Sequence, residues 1–320
     1  MSNPLKLKKL GLCLGNQQTF LTEITHSPES IEVTNLIDLD LVHPFNFNTI
    51  NNEEILEGIG NILKESLSFD KKSNVELSIS IDYSMAIIKH VPVDNSLKSN
   101  ELENHIQWEL QQHIISPVEE YDSDFQKLPK IPNNKYPSII TVAVKKKIID
   151  AVKYISKIAN LKLDLIDINI FSAINALEVN YKIKPTEKTA LIETGKNRLI
   201  FIILEGTNFL GFHPAHLVSH LSPDEEIPTE KIFDEISKNL RFLISDYETG
   251  DDKKEFDRIY LYKTNKNINL NDILSKDTEN KFEILNPLKN LKISSELKEK
   301  MDPLSDYSEH TVSVGLVIRK

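Results

Sequence analysis

The sequence predicts a mixed α/β protein built from two lobes that repeat one pattern. Each half opens with a strand, a glycine-containing turn and a second strand, around Gly15 in the first half and Gly195 in the second. Further strands and helices follow in both halves. A chain of 320 residues is also longer than a single hydrophobic core usually supports. Length and repetition together therefore favour two lobes with a duplicated topology.

Hydrophobic periodicity assigns the elements of the first half. Short apolar or alternating segments predict strands at 6–14, 20–25, 31–41, 75–81, 85–91, 121–128, 139–144 and 163–168. Apolar stripes at helical spacing predict helices at 53–67, 99–115, 147–159 and 171–181. Pro117 is expected to end the second of these helices, because proline has no N–H to donate.

The second half begins after residues 185–187, which form the best predicted boundary in the chain. It repeats the opening pattern with predicted strands at 190–193, 199–204 and 209–212, and adds strands at 257–262 and 282–285. Helices are predicted at 229–247 and 270–274. The closing apolar segment, 310–318, has helical spacing.

Composition limits the classes of function. The formal net charge of −10 disfavours a general binder of nucleic acid or anionic membrane, because phosphate groups repel it. The single cysteine, Cys13, excludes an internal disulfide and fits a reducing compartment. No apolar run approaches the roughly 20 residues that span a bilayer. We therefore expect a cytoplasmic protein without direct membrane insertion, which reaches any membrane through a partner.

Three segments carry a resemblance to a known family. Residues 100–128 read NELENHIQWELQQHIISPVEEYDSDFQKL, which is similar to a helix of the form E-L-x-x-x-I-x-W-E, an acidic turn and a D-[FY]-x-x-L strand. The passage TVAVKKKIIDAVKYISKIANLKLDLIDINIFSAINAL and the ending VSVGLVIRK follow in the same order. Together they resemble the PilM family of type IV pilus assembly proteins over almost the whole chain.

The resemblance implies the duplicated actin-like (ribonuclease H-like) fold. The first lobe would comprise 1–185, completed by 304–320, with a small αβ subdomain inserted at about 81–165, and the second lobe would comprise 186–303. It also implies an adaptor that binds the N-terminal tail of a PilN-like membrane protein and links the inner-membrane complex to the pilus motor. The oligomeric state stays open, with a homo-oligomer as one alternative.

The groove for that tail is expected where the first lobe meets the inserted subdomain. An extended peptide could pair there with an edge strand and bury alternate side chains. The candidate lining residues are Ile87, Ile88 and Val91 on the strand, and Leu102, Ile106 and Trp108 on the helix. Each of them could equally be an ordinary core residue.

The resemblance also implies a nucleotide site, and the first phosphate loop departs from it. Intact members carry a D-I-G-S-type loop whose carboxylate holds Mg²⁺. Here Cys13 replaces the acid, Asn16 and Gln17 replace small residues, and Phe20 stands where a lysine is expected. Only Gly15 is kept. A thiol cannot substitute for the carboxylate, since hard cations select oxygen ligands.

The second loop is ambiguous, and the third departs again. Glu193 replaces the usual Asp, Gly195 is kept, and Lys196 enters the turn. Glu193 could still reach a metal-bound water and Lys196 a phosphate. The glycine pair expected after the strand at 257–262 is absent, which obstructs close approach of a nucleotide. We therefore predict a pseudo-ATPase with no catalytic residue and no bound ATP or Mg²⁺.

Two other interpretations remain. One is an active actin-fold ATPase or kinase that uses Glu193 and the Gly15 turn, and the other is an FtsA-like filament former. A metal site at His213, His216 and His220 is not expected, because Pro214 interrupts the segment and no further ligand completes the set. The degraded loops disfavour the ATPase or kinase. A filament former of this kind would call for a C-terminal amphipathic membrane helix, which is not expected because the sequence ends at Arg319-Lys320 directly after the closing apolar segment.

Overall fold

The structure is a computed structural model that describes residues 7–15, 18–26, 30–67, 75–93, 97–114, 116–128, 138–217, 227–246, 255–277 and 281–319. It divides into two compact units. The first comprises Met1–Ser30 and Asn35–Phe171, and the second comprises Ile31–Thr34 and Ser172–Lys320.

The first unit contains a main sheet, a smaller sheet and three helices, followed by the start of a fourth. Its strands are β1 (Leu7–Cys13), β2 (Gln18–His26), β3 (Ile31–Asp40), β4 (Val75–Ile81), β5 (Ala86–Pro92), β6 (Tyr121–Lys127), β7 (Ser138–Lys145) and β8 (Lys162–Ile168). Its helices are α1 (Glu53–Ser66), α2 (Ser99–Gln111) and α3 (Lys146–Ile158), and α4 (Asn169–Asn180) continues into the second unit.

The main sheet is six-stranded; five of its strands follow the order β3-β2-β1-β4-β8, and the sixth, Lys292–Ile293, pairs with the start of β3. Strand β1 is antiparallel to β2 and parallel to β4, and β4 is parallel to β8. Helices α1 and α3 approach each other closely at Gly60, where a Cβ would lie 2.6 Å from the Cβ of Ile158. Only a residue without a side chain fits there.

The small sheet has the order β5-β7-β6, with both outer strands antiparallel to β7. Helix α2 packs its apolar side against one face. The buried cluster consists of Val91, Val93, Leu102, Ile106, Leu110, Ile139 and Ala143. In the chain, this small sheet and its helix lie between β4 and β8.

The second unit repeats the main-sheet topology. It contains β9 (Lys188–Thr194), β10 (Arg198–Glu205), β11 (Asn208–His216), α5 (Thr229–Asp246), β12 (Arg258–Lys263), α6 (Leu270–Leu274), β13 (Phe282–Ile284), β14 (Lys292–Ile293), α7 (Ser295–Lys300) and α8 (Thr311–Val317). The sheet order is β11-β10-β9-β12-β13. Strand β14 pairs in parallel with the start of β3, Lys292 opposite Glu32.

Most predicted elements are confirmed, with three differences. Helix α2 ends at Gln111, several residues before Pro117, and the chain continues through a turn. Strand β14 was not predicted, because two residues are too few to show periodicity. Helix α7 was also missed, although Ser294 caps it by accepting the N–H of Leu297 at 3.2 Å. Among the described residues, no helix is both long and apolar enough to cross a bilayer.

Candidate functional site

The first hairpin ends in buried, uncharged side chains. Strand β1 ends at Cys13, which is buried and pairs with Phe20 on β2. Phe20 is also buried, so its ring belongs to the core of the unit. A Cβ at Gly15 would meet nothing within 4 Å, so the turn at that point does not require glycine. The other two predicted loop residues, Asn16 and Gln17, lie outside the described residues.

Two carboxylates near this hairpin were missed by the sequence interpretation. Cys13 is opposite Ser80 on β4, and Ser80 is opposite Asp167 on β8, so the three residues are neighbours across the sheet. Asp82 directly follows β4 and accepts the N–H of Ser84 at 3.0 Å. Asp167 accepts the N–H of the next residue at 2.8 Å. An acid at the end of a buried strand was the signal that could have revealed them.

The second hairpin places a carboxylate in the interior. Glu193 is fully buried at the end of β9. Its Oε1 lies 3.0 Å from Arg198 Nη2, and its Oε2 accepts the hydroxyl of Tyr262 at 3.1 Å. The hydroxyl of Thr264 is 3.5 Å from Oε1. Both carboxylate oxygens therefore have internal partners, which a buried charge requires.

The turn of this hairpin is narrow. The N–H of Gly195 donates to the carbonyl oxygen of Arg198 at 2.9 Å. A Cβ at Gly195 would lie 3.3 Å from the Thr264 hydroxyl and 3.4 Å from the Arg198 side chain. Lys196 is exposed at the tip. Among these predicted site residues, Glu193 and Gly195 lie together in the interior, whereas Lys196 projects from the turn.

The segment after β12 is occupied by polar side chains. Lys263 pairs with Asp306 at 3.3 Å and with Glu309 at 3.6 Å, and all three are largely shielded from solvent. Asn265 then accepts the N–H of Asn267 at 3.1 Å, which closes a turn. The glycine-free segment thus has a defined local structure held by ion pairs and a side-chain turn.

The six predicted tail-binding residues occupy three environments. Val91, Leu102 and Ile106 are in the buried cluster of the small sheet, with Ile87 packed against it. Ile88 is half-buried, and by alternation along β5 it lies on the face opposite Ile87 and Val91. Trp108 is 55% exposed. The structure therefore does not bring all six together on one surface.

The predicted histidine set can be located only in part. His213 and His216 lie on β11, and His220 is outside the described residues. The His213 ring packs between two phenyl rings, with centroids 6.4 Å from Phe201 and 6.0 Å from Phe242. Among the described residues, no group of three or more His, Cys, Asp or Glu side chains is arranged to hold a metal ion.

Solved structures of other proteins resemble this architecture. The chain is similar to a chain of a PilM–PilN type IV pilus biogenesis complex, with 14% identity, 97% of each chain covered and a TM-score of 0.72. The cytoplasmic domain of EpsL, an inner-membrane component of the type II secretion system of Vibrio cholerae, has 13% identity, with 87% of this chain and 89% of that chain covered and a TM-score of 0.46. The duplicated actin-like fold is confirmed.

Sequence comparison establishes the family. No curated protein matches the sequence. Residues 16–210, more than half of the chain, match the family model described as type IV pilus assembly protein PilM. The chain belongs to the type IV pilus assembly protein PilM family.

Proposed function

We propose that this protein is a cytoplasmic adaptor of type IV pilus assembly that binds the N-terminal tail of a PilN-like membrane protein and does not hydrolyse ATP. Family membership and the likeness to a chain of a PilM–PilN complex support the role in assembly. The adaptor would reach the inner membrane through that tail. The outer edge of β5 supports the docking step, and the internal ion pair of Glu193 supports the absence of hydrolysis.

The small sheet has two outer strands with different edges. Strands β5 and β6 each pair only with β7 among the described strands. On β6 the N–H of Phe125 donates to the carboxylate of Asp124 at 2.8 Å, which occupies a group that an added strand would use. The side chains of Ile87 and Ile88 on β5 carry no polar group that could do the same. An extended tail would therefore add to β5, where backbone hydrogen bonds supply affinity.

Side chains at this edge suit an apolar tail. Ile88 lies opposite Val142 on β7, and both are partly exposed on the sheet face away from α2. Alternate side chains of an added strand would contact this pair. Leu102 and Ile106 belong to the interior on the other face, so we expect them to support the sheet.

Titration of the full chain with a synthetic tail peptide of a PilN-like protein tests the docking step. Ile88→Asp should weaken binding by about tenfold or more, because a carboxylate replaces an apolar contact. Val42→Asp is the matched control, since Val42 is 76% exposed in the same unit but outside the small sheet. Two N-methylated peptides, one modified at the odd-numbered and one at the even-numbered residues, should also differ in affinity. Only one of these two sets of N–H groups would point towards β5 in an added strand. Unchanged binding in both experiments would refute strand addition at β5.

Titration with MgATP tests whether the chain binds the nucleotide, which hydrolysis would require. The carboxylate of Glu193 already holds Arg198 and Tyr262, so a metal or its bound water would have to displace them. We expect a dissociation constant above about 1 mM, weaker than a nucleotide site normally needs. Micromolar affinity would contradict the proposal while leaving the tail-binding step intact.

One observation favours the second candidate, a chain that still binds ATP. Asp82 and Asp167 lie at the carboxyl ends of β4 and β8, near the first hairpin. Carboxylates are ligands that Mg²⁺ accepts. If MgATP binds, Asp167→Asn should abolish the signal and Glu193→Gln should leave it largely unchanged. That result would assign nucleotide binding to the first unit.

A further inference from the structure

The outer side of α2 presents an aromatic residue that the subdomain core does not use. Trp108, the only tryptophan in the chain, is 55% exposed. The apolar residues of α2 that face the sheet are Leu102, Ile106 and Leu110, which recur every four residues. Trp108 is nearly opposite that stripe on a helix of 3.6 residues per turn. It is therefore a surface residue, and the stability of the cluster does not account for it.

The ring of Trp108 is held in place despite its exposure. It stacks on the imidazole of His105, with centroids 6.3 Å apart and planes 18° from parallel. A ring N–H of His105 donates to the carbonyl oxygen of Pro92 at 3.2 Å, which anchors the imidazole to the end of β5. An aromatic surface that is ordered in advance loses less entropy when it binds.

The segment that carries this aromatic face is rich in negative charge. The segment 97–128 contains seven acidic residues and two lysines. Four of the acids, Glu103, Glu109, Glu119 and Glu120, have no cationic side chain within 4 Å among the described residues. On a helix of 3.6 residues per turn, Glu101 is turned only about 20° away from Trp108, two turns earlier along the axis, and Glu109 directly follows Trp108. Glu103 is turned about 140° away. Glu101 and Glu109 are therefore the acids of α2 closest to the tryptophan side.

We propose that the outer face of α2, built on Trp108 and the surrounding carboxylates, binds a basic segment of a partner protein. An arginine or lysine above the indole ring would gain a cation–π interaction, and the acidic residues would attract its neighbours. This surface is separate from the β5 edge. Failure of one interaction therefore does not decide the other.

Indole fluorescence provides a direct measurement, because Trp108 is the only tryptophan. The probe is a short peptide of alternating arginine and serine, added to the full chain at low salt. We expect a saturable change in emission that disappears at about 0.5 M salt, where screening is strong. A peptide with citrulline in place of arginine should not bind, since citrulline keeps the shape and loses the charge.

Variants separate a specific surface from general attraction to an acidic protein, with peptide anisotropy as the readout. Trp108→Ala should weaken binding about tenfold, and Trp108→Tyr should recover most of it. Glu101→Gln with Glu109→Gln should weaken binding more than Glu296→Gln with Glu299→Gln, an exposed pair on α7 with the same change in net charge. Unchanged affinity in Trp108→Ala, or equal losses in the two charge pairs, would overturn the proposal.

Discussion

The main sheets of the two units have the same strand order but different chemistry at the end of the first strand. In β3-β2-β1-β4-β8 that strand ends at Cys13, and in β11-β10-β9-β12-β13 its counterpart carries Glu193. Each residue stands two positions before a glycine. Burial of alternating apolar residues maintains the topology in both units, while the hairpin ends are free to diverge.

The two hairpins also differ in how their buried ends are stabilised. Around Cys13 the chain buries apolar side chains such as Phe20 and Leu14. Around Glu193 it buries a charge together with Arg198, which compensates that charge at 3.0 Å. A substitution at the first hairpin therefore removes packing, whereas a substitution at the second can leave a buried charge without its partner. The duplicated fold thus contains one hairpin that depends on packing and one that depends on electrostatics.

The largest effect is expected at a helix contact of the second unit. A Cβ at Gly315 on α8 would lie 1.8 Å from the carbonyl oxygen of Ser172, a backbone atom that no rotamer change can move. Gly315→Ala should lower the free energy of unfolding by more than about 4 kcal/mol. Chemical denaturation measures this change in the free energy of unfolding.

A matched glycine in the first unit controls that experiment. A Cβ at Gly58 on α1 would meet nothing within 4 Å, so Gly58→Ala should raise stability by about 0.5–1 kcal/mol through helix propensity. A small loss at Gly315 would show that α8 can shift away from Ser172.

The second prediction concerns the ion pair itself. Arg198→Met would leave the carboxylate of Glu193 buried without its cation, and we expect a loss of about 3 kcal/mol at neutral pH. Chemical denaturation of the variant and of the unchanged protein at neutral pH measures this loss.

Glu193→Gln combined with Arg198→Met closes the double-mutant cycle for this pair. The double variant should be more stable than Arg198→Met alone, because it carries no uncompensated charge. If the double variant and Arg198→Met were equally stable, Arg198 would not compensate the charge of Glu193. The second hairpin would then not depend on electrostatics.

The smallest expected effect is a difference in the alkaline pH dependence of unfolding between variants of two tyrosines. Burial raises the pKa of Tyr181 in the second unit to about 12, and its hydroxyl oxygen accepts the N–H of Asn286 at 2.9 Å. Its folded pKa lies above the unfolded value of about 10, so its contribution is complete below about pH 10 and is lost as the pH rises towards 12. Tyr181→Phe should remove this alkaline loss and cost about 1 kcal/mol at neutral pH.

Tyr154 in the first unit serves as the control. A hydrogen bond to Glu57 raises its pKa, but the residue is exposed at the surface of α3. Tyr154→Phe should change the pH dependence of unfolding in the alkaline range less than Tyr181→Phe does, because solvent screens the interaction between Tyr154 and Glu57. Identical alkaline curves for both variants would show that burial of Tyr181 does not contribute to stability.

Sequence reasoning predicted the duplication, most elements and the family, because apolar periodicity and short motifs are local properties. It could not predict the partners of Glu193, since Tyr262 and Thr264 are about 70 residues away along the chain. The sequence likewise did not predict whether Trp108 is buried or exposed. Helical spacing alone does not say which side of α2 the sheet covers.

The sequence by itself determined that one strand pattern occurs in both halves and that Cys13 and Glu193 each stand two positions before a glycine, because these features depend only on which residue stands at which position. Only the tertiary structure decided that Glu193 forms an internal ion pair with Arg198, that Leu102 and Ile106 are buried, and that Trp108 is at the surface. Those outcomes depend on which distant strands become neighbours, and contacts between residues far apart in the chain are fixed only when the sheet forms.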